Sequence, residues 1–196
     1  MKSFFRDHSY NMVKMFLNQF ATAVFGFSLC LASGYSGSYL LRNITSVCAI
    51  VFYMFLLYTM TWEIGFKDRL PGKVRRPYMG LVLSLCANAI NFLLAIPIML
   101  ATLIKGGIFS AIGGFAAPAA LLLQGQYMGV LAHTVNGVPL NSYWFMYFLI
   151  PIPAILTCGM AYWMGLSDKK LTSISDHVYP ESDREPKQKR WSIHKD

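Results

Sequence analysis

The chain has little charge for its length. Only 13% of its 196 residues are Asp, Glu, Lys or Arg, whereas soluble domains carry about 25%. At the same time 55% of the residues are hydrophobic, and a chain of this size cannot keep that much apolar surface out of water. The low charge therefore excludes an ordinary soluble globule and indicates a membrane protein.

Cysteine is also scarce, and its placement excludes two classes of site. The four cysteines lie inside apolar stretches and form neither a CxxC pair nor a Cys/His group, which a zinc site or a disulfide framework would need. The sequence also lacks a Gly-rich phosphate loop and an HExxH helix. It predicts no enzyme activity, no metal and no cofactor.

Acidic residues number only 9 against 17 lysines and arginines, which gives a formal net charge of +8. The basic residues cluster just beyond the ends of apolar runs, where they meet the anionic headgroups of a bilayer. This distribution predicts the lipid bilayer as the partner of the basic residues, and no nucleic acid.

Long apolar runs are what the sequence does contain. A stretch of about 20 apolar residues can cross a bilayer, and five runs approach or exceed that length: 12–33, 44–62, 79–104, 108–132 and 143–166. The first run is longer than the apolar core of a signal peptide, about 7–15 residues, so we expect it to stay as a helix. Residues 167–196 are polar and predict a flexible cytoplasmic tail.

The distribution of charge favours four crossings over five. If all runs except 108–132 cross, only Arg42 and Lys105 of the basic residues face outward, whereas five crossings divide them almost evenly. The predicted fold is therefore an all-α integral membrane protein, a bundle of four spanning helices plus one Gly/Pro-broken apolar segment. Both ends would lie in the cytoplasm, at the cell membrane. The broken segment would be re-entrant, surface-bound or an ordinary fifth span.

Polar side chains inside the runs are the candidate site residues. In the first run Lys14, Asn18, Thr22 and Gly26 recur at steps of four, which places them on one helix face. Lys14 is near the inner end of that run, where it can reach the lipid headgroups. In the third run Ser84, Asn88, Asn91 and Ala95 recur at steps of four, three and four. Two interpretations stay open for this row, namely hydrogen bonds between helices and a polar lining for a solute path. The intramembrane candidates are Asn18, Ser84, Asn88, Asn91, Gln124 and Gln126.

A basic loop is predicted between the second and third runs. Pro71-Gly72 and Pro77 should end any helix there. The loop suits recruitment of anionic lipid headgroups, a cytoplasmic partner or another membrane subunit. Its candidate residues are Lys67, Arg69, Lys73, Arg75 and Arg76.

Two short patterns carry a resemblance to other proteins: Asn11-x-x-Lys14-x-Phe16-x-Asn18-Gln19 and Tyr58-x-x-x-Trp62-x-x-Gly65-x-Lys67-Asp68. Together they resemble a group of uncharacterised small multi-pass membrane proteins of anaerobic Gram-positive bacteria. The likeness covers the first two runs and the loop after them. It implies a multi-pass fold and no assigned activity.

The leading functional hypothesis is small-solute transport, either as a permease or as an accessory subunit of a transporter. Transporters place binding sites where polar helix faces meet broken helices, and the third and fourth runs offer that combination. The alternative is a non-transporting scaffold that recruits a partner or anionic lipid through its basic loop and tail.

Overall fold

The computed structural model describes residues 2–70, 76–104, 106–167 and 169, with residues 2–7 described by their backbone. It is about 84% helical, which confirms the all-α class. Two 3-10 turns, Gly125–Tyr127 and Leu140–Ser142, join the helices. The helices of the described ranges are α1 (Lys2–Tyr35), α2 (Tyr39–Asp68), α3 (Met79–Ala87), α4 (Ala89–Ile104), α5 (Gly107–Leu123), α6 (Met128–Leu131), α7 (Met146–Leu149) and α8 (Pro151–Leu166).

Three helical units are long and apolar enough to cross a membrane: α1 from His8 onward, α2, and α7 together with α8. Two further pairs qualify if each counts as one bent span. The axis bends by 55° between α3 and α4, and by 80° between α5 and the helix over Gly125–Leu131. The apolar helices therefore indicate a membrane protein with three to five candidate spans.

The first two helices are longer than their apolar runs. The connection between them is only Ser36–Ser38, and the Ser38 hydroxyl caps α2 by accepting a hydrogen bond from the Leu41 amide at 3.4 Å. At its other end α2 continues to Asp68, because no proline occurs before Pro71. Lys67 therefore lies on a helix and not in the predicted loop.

The third run is two helices, broken at Asn88 and not at the proline it contains. The Asn88 side-chain amide donates to the Ser84 backbone carbonyl at 2.9 Å. The backbone N–H of Asn91 donates to the backbone carbonyl of Asn88 at 3.0 Å, three residues back. Asparagine side chains that compete for backbone groups in this way interrupt helices. Pro97 lies inside α4, which continues through it.

The fourth run is also broken, but not at its expected breakers. Helix α5 passes through Gly113, Gly114 and Pro118 and ends at Leu123. Gly113 serves close packing, since a Cβ there would overlap the Ala101 side chain of α4. The chain turns after Gln124, where the 3-10 turn and α6 follow.

A short hairpin follows α6. Strands β1 (Thr134–Val135) and β2 (Val138–Pro139) pair antiparallel. Asn136 and Gly137 between them both have positive φ, 53° and 80°, as the Asn-Gly hairpin turn requires. The apolar runs of the sequence predict no strand here.

Helix α8 packs closely between α2 and α3 through glycines. A Cβ at Gly65 would overlap the Tyr162 carbonyl, one at Gly80 would crowd Cys158, and one at Gly165 would overlap the Trp62 carbonyl. Small residues of this kind let helix backbones approach in membrane proteins. These contacts bring the end of α2, the start of α3 and the end of α8 together.

The two ends of the bundle are therefore distinct. The start of α1 joins the end of α8 at what we call the terminal end, because His8 and Asp68 line one cleft there and the Trp62 indole donates to the Lys169 carbonyl at 2.7 Å. The opposite end, which we call the hairpin end, holds the α1–α2 connection. Gly129, shortly before the β-hairpin, packs there against Ser46.

Candidate functional site

The break after α5 lies against the middle of α1. A Cβ at Gly125 would overlap the Ala23 carbonyl, and a Cβ at Gly26 would overlap the backbone of Gln126. On the preceding turn of α1, the Gln19 amide nitrogen approaches the carbonyl that ends α5, that of Leu123, at 3.5 Å. The turn over residues 124–126 is therefore held between two turns of α1, with glycines on both sides of the contact.

Buried polar atoms without partners gather around this break. The side chains of Gln19, Gln124, Gln126 and Asn91 are each at most 2% exposed. Within the described chain, neither polar atom of the Gln124 amide has a hydrogen-bond partner, nor do the side-chain oxygens of the other three or the Tyr127 hydroxyl. We call these five residues the polar cluster.

The row predicted on the third run forms a hydrogen-bonded ladder beside the other break. The Asn88 amide donates to the Ser84 carbonyl at 2.9 Å and reaches its hydroxyl at 3.4 Å. The Asn88 oxygen in turn accepts from the Asn91 amide at 2.9 Å. The Asn88 side chain thus makes its hydrogen bonds within its own segment, whereas the Asn91 side-chain oxygen has no hydrogen-bond partner in the described chain.

The antiparallel pairing of α4 and α5 brings the two breaks to one level. Gly113 lies against Pro97 and Ala101, and Ala95 shares a core cluster with Ala116. Continuing this register along the two helices places Asn88 opposite Gln124. The ladder of the third run and the amides of the fourth therefore converge at the two helix breaks.

These unpartnered amides are costly for the fold itself. An amide buried without a hydrogen bond destabilises a protein by about 1–3 kcal/mol. Amides that only join helices in a membrane are bonded across the interface and contribute roughly 0.6–2 kcal/mol each. Asn88 is satisfied by bonds within its own segment, whereas the Gln124 side chain makes no bond among the described residues, so joining helices does not account for it.

The polar cluster contains no formal charge. Among the described residues, Asp68 is the only buried Asp, Glu, Lys, Arg or His. It lies at the terminal end, where it accepts a hydrogen bond from the Tyr162 hydroxyl at 3.1 Å. The Tyr127 ring meets the Tyr53 ring edge-to-face at 6.1 Å, which gives the cluster an aromatic wall.

A surface opening lies towards each end of the bundle. At the terminal end a cleft of about 140 Å³ is lined by His8, Tyr10, Asn11, Lys14, Met60, Glu63, Ile64, Lys67 and Asp68. At the hairpin end a groove of about 270 Å³ is lined by Asn43, Ser46, Val47, Gly129, Val130, His133 and Leu140. On α1, Gln19 follows the cleft residue Lys14 by little more than one turn.

Of the residues predicted on the polar face of α1, Thr22 and Gly26 are buried, whereas the two that precede them are not. Lys14 is exposed and Asn18 is half-buried, with its amide directed at the Met60 sulfur. The buried stripe instead includes Met15 and Gln19, followed by Thr22 and Gly26. Sequence reasoning therefore missed Gln19 and also Tyr127. The spacing of Gln19, Thr22 and Gly26 was a signal for the first, but an equally regular stripe one position away competed with it.

The described residues of the predicted basic loop lie at the terminal end. Lys67 forms an ion pair with Glu63 one turn earlier on α2, and the Arg69 guanidinium lies 5.9 Å from the centre of the Phe66 ring. Arg76 is exposed. The remaining candidates of the basic loop, Lys73 and Arg75, and the tail beyond Lys169 lie outside the described residues.

Comparison of the chain with protein-family models, curated proteins and solved structures finds no match. The resemblance of its first two helices to small multi-pass membrane proteins of anaerobic bacteria therefore stays a prediction. The geometry of the chain itself is the basis for the function proposed next.

Proposed function

We propose that this chain is a multi-pass membrane protein that takes a small polar solute into its bundle, as a permease or as the solute-binding part of a transporter. The observation that carries this proposal is the polar cluster, whose buried amides leave hydrogen-bonding atoms without partners in the described chain, at the level of two facing helix breaks. Broken helices at mid-membrane are where transporters expose polar groups to a solute. A solute would supply the hydrogen bonds that the described chain leaves unmade.

The proposal includes a topology of four crossings, made by α1, α2, the α3–α4 pair and the α7–α8 unit. Helix α5 then enters from the hairpin end, turns at Gln124 and returns, because Gly129 lies beside Ser46 near the start of α2. The charges support this orientation. Among described side chains, Arg42 is the only lysine or arginine near the hairpin end, so the positive-inside rule favours a cytoplasmic terminal end.

Site-directed labelling tests the topology. Single cysteines at Gly34, Asn136 and Ser175, on a background without the native cysteines, are probed in intact cells with an impermeant thiol reagent. We expect labelling at the first two positions and protection at the third. Labelling at Ser175 with protection at Asn136 would mean five ordinary spans and would remove the re-entrant segment from the proposal.

Solute flux tests the function. Purified protein in liposomes should carry solutes at a rate that depends on Gln124, measured by the swelling or tracer uptake of vesicles. Leu122→Ala is the matched control, because Leu122 lies on the same turn of α5 and is 53% exposed on the outside of the bundle. Equal flux in the wild type, the Gln124→Leu variant and protein-free vesicles would contradict a transport role.

The second candidate is a membrane scaffold that binds anionic lipid or a partner at the terminal end. The observation in its favour is that Lys14 and Lys67 line the cleft there and are exposed. Their ammonium groups lie among two carboxylates, however, and Lys67 already pairs with Glu63. A vesicle-binding assay with and without anionic lipid tests this role. A Lys14→Gln variant that binds anionic vesicles as well as the wild type would argue against it.

A further inference from the structure

We infer that the polar cluster selects an uncharged solute that both donates and accepts hydrogen bonds, such as a small amide, a urea or a polyol. The inference rests on the proposed function, since it names the class of solute that the same site would bind. It follows from the kinds of group that the structure buries at the two breaks and from the charges it places elsewhere.

The centre of the site offers nothing to offset a full charge. An ion that leaves water for a buried site loses several kcal/mol or more of hydration unless a partner of opposite sign replaces it. The polar cluster has amide and hydroxyl groups only, and the buried carboxylate of Asp68 lies at the terminal end. Asn18, next to Gln19 on α1, contacts Met60 of α2. Asp68 follows Met60 by eight residues, which corresponds to roughly 12 Å along α2.

The openings carry no strong charge of one sign, so the buried residues decide the class of solute. Lys14 and Lys67 line the cleft at the terminal end together with the carboxylates Glu63 and Asp68, which balance them. None of the groove residues at the hairpin end is Asp, Glu, Lys or Arg, and the Arg42 guanidinium lies 4.4 Å from the centre of the Tyr39 ring. A cation or an anion that passes either opening meets no side chain of opposite charge in the polar cluster.

The unpartnered atoms include a donor as well as acceptors. The Gln124 amide leaves its nitrogen and its oxygen free, and the Gln19, Gln126 and Asn91 oxygens are further acceptors. The Tyr127 hydroxyl can donate or accept. A solute that satisfies such a set needs N–H or O–H groups together with a carbonyl or hydroxyl oxygen. The Tyr53–Tyr127 pair adds an apolar surface against which a planar amide or a carbon chain can pack.

The experiment compares uncharged and charged probes in the same vesicles. Full-length protein is reconstituted as wild type, Gln124→Leu and the control Leu122→Ala. Urea, acetamide and glycerol are the uncharged probes, followed by stopped-flow light scattering. Rubidium and chloride tracers are the charged probes. Each rate is corrected for protein-free vesicles, and each variant is first checked for monodisperse elution and wild-type helix content.

We expect protein-dependent flux of at least one uncharged probe, with no rubidium or chloride flux above that of protein-free vesicles. Gln124→Leu should reduce that flux about tenfold, the effect of losing about 1.4 kcal/mol of hydrogen bonding, while Leu122→Ala leaves it unchanged. If Gln124→Leu does not fold, Gln126→Leu takes its place, because the Gln126 oxygen belongs to the same cluster.

The outcomes separate this inference from the proposed function. Rubidium or chloride flux that falls in Gln124→Leu, with no such change for the uncharged probes, would leave a transport protein and overturn the uncharged class. Flux of every probe at the level of protein-free vesicles, in the wild type as in the variants, would overturn both. Flux of urea, acetamide or glycerol that Gln124→Leu does not change would assign the path to another part of the bundle and overturn the site.

Discussion

Replacing Gln124 by leucine removes two buried polar atoms that make no hydrogen bond within the described chain, and it keeps a side chain of similar size. Gln124 is 0% exposed, so the whole amide is desolvated. An unpartnered buried amide costs about 1–3 kcal/mol. We expect Gln124→Leu to raise the free energy of unfolding by about 1 kcal/mol. The gain is at the low end of that range because leucine branches where glutamine does not, and the change of shape has a packing cost.

Asn88→Leu is the matched comparison at the facing break. The Asn88 side-chain amide donates to the Ser84 carbonyl and hydroxyl and accepts from the Asn91 side-chain amide. Leucine therefore removes these bonds and leaves the Asn91 nitrogen without its acceptor. A buried donor that loses its partner costs about 1–3 kcal/mol. Substitution by leucine should therefore lower the free energy of unfolding at Asn88 and raise it at Gln124, although the two residues lie at the same level.

The measurement is reversible unfolding in mixed micelles, followed by circular dichroism, for the wild type and both variants. If thermal melts are used, a change of 1 kcal/mol should shift Tm by about 2–4 °C for a chain of this size. Destabilisation of Gln124→Leu to the same extent as Asn88→Leu would refute the reasoning. Gln124 would then be bonded between helices, and neither the solute site nor its uncharged specificity would have a basis.

Two further predictions concern packing and the terminal end. Gly125→Ala should lower the free energy of unfolding by about 1–3 kcal/mol, because the new methyl group overlaps the Ala23 carbonyl. The control in the same assay is Gly34→Ala, whose methyl group meets nothing within 4 Å and should stabilise α1 by about 0.5–1 kcal/mol. A similar loss of stability in both variants would contradict the contact between Gly125 and Ala23. Tyr162→Phe should cost about 1.5–3 kcal/mol at neutral pH, because it removes a buried donor to the Asp68 carboxylate, and an unchanged unfolding curve would show that this bond contributes nothing.

The helical class and the approximate helices follow from apolar runs, but their breaks do not. Asn88 and Pro97 lie in one apolar run, and proline is the stronger breaker in isolation. In the bundle the helix continues through Pro97 and bends at Asn88, where the side chain bonds the Ser84 carbonyl. Likewise Gly113 serves close contact with Ala101 and not a turn. The role of Gly113 depends on a neighbouring helix, and the break at Asn88 depends on side-chain hydrogen bonds that the hydropathy of the run does not record.

The candidate site shows the same limit. Asn91, Gln124 and Gln126 stand out in the sequence because amides are rare in apolar runs. On α1, however, the regular spacing of polar residues predicts a face through Asn18 and not through Gln19. The two residues differ by 100° on α1, and the hydropathy of the run is nearly the same on either face. The contact of α1 with the turn after α5 makes Gln19 the buried residue.

The sequence by itself determined the helical class and the apolar character of the long helices, since these depend on composition and on the length of apolar runs. Only the tertiary structure decided which amides are paired and which are left over. A hydrogen bond depends on two groups meeting at about 3 Å, and the groups at the two breaks come from helices far apart in the chain. The antiparallel packing of α4 on α5 and the glycine contacts with α1 bring them to one level.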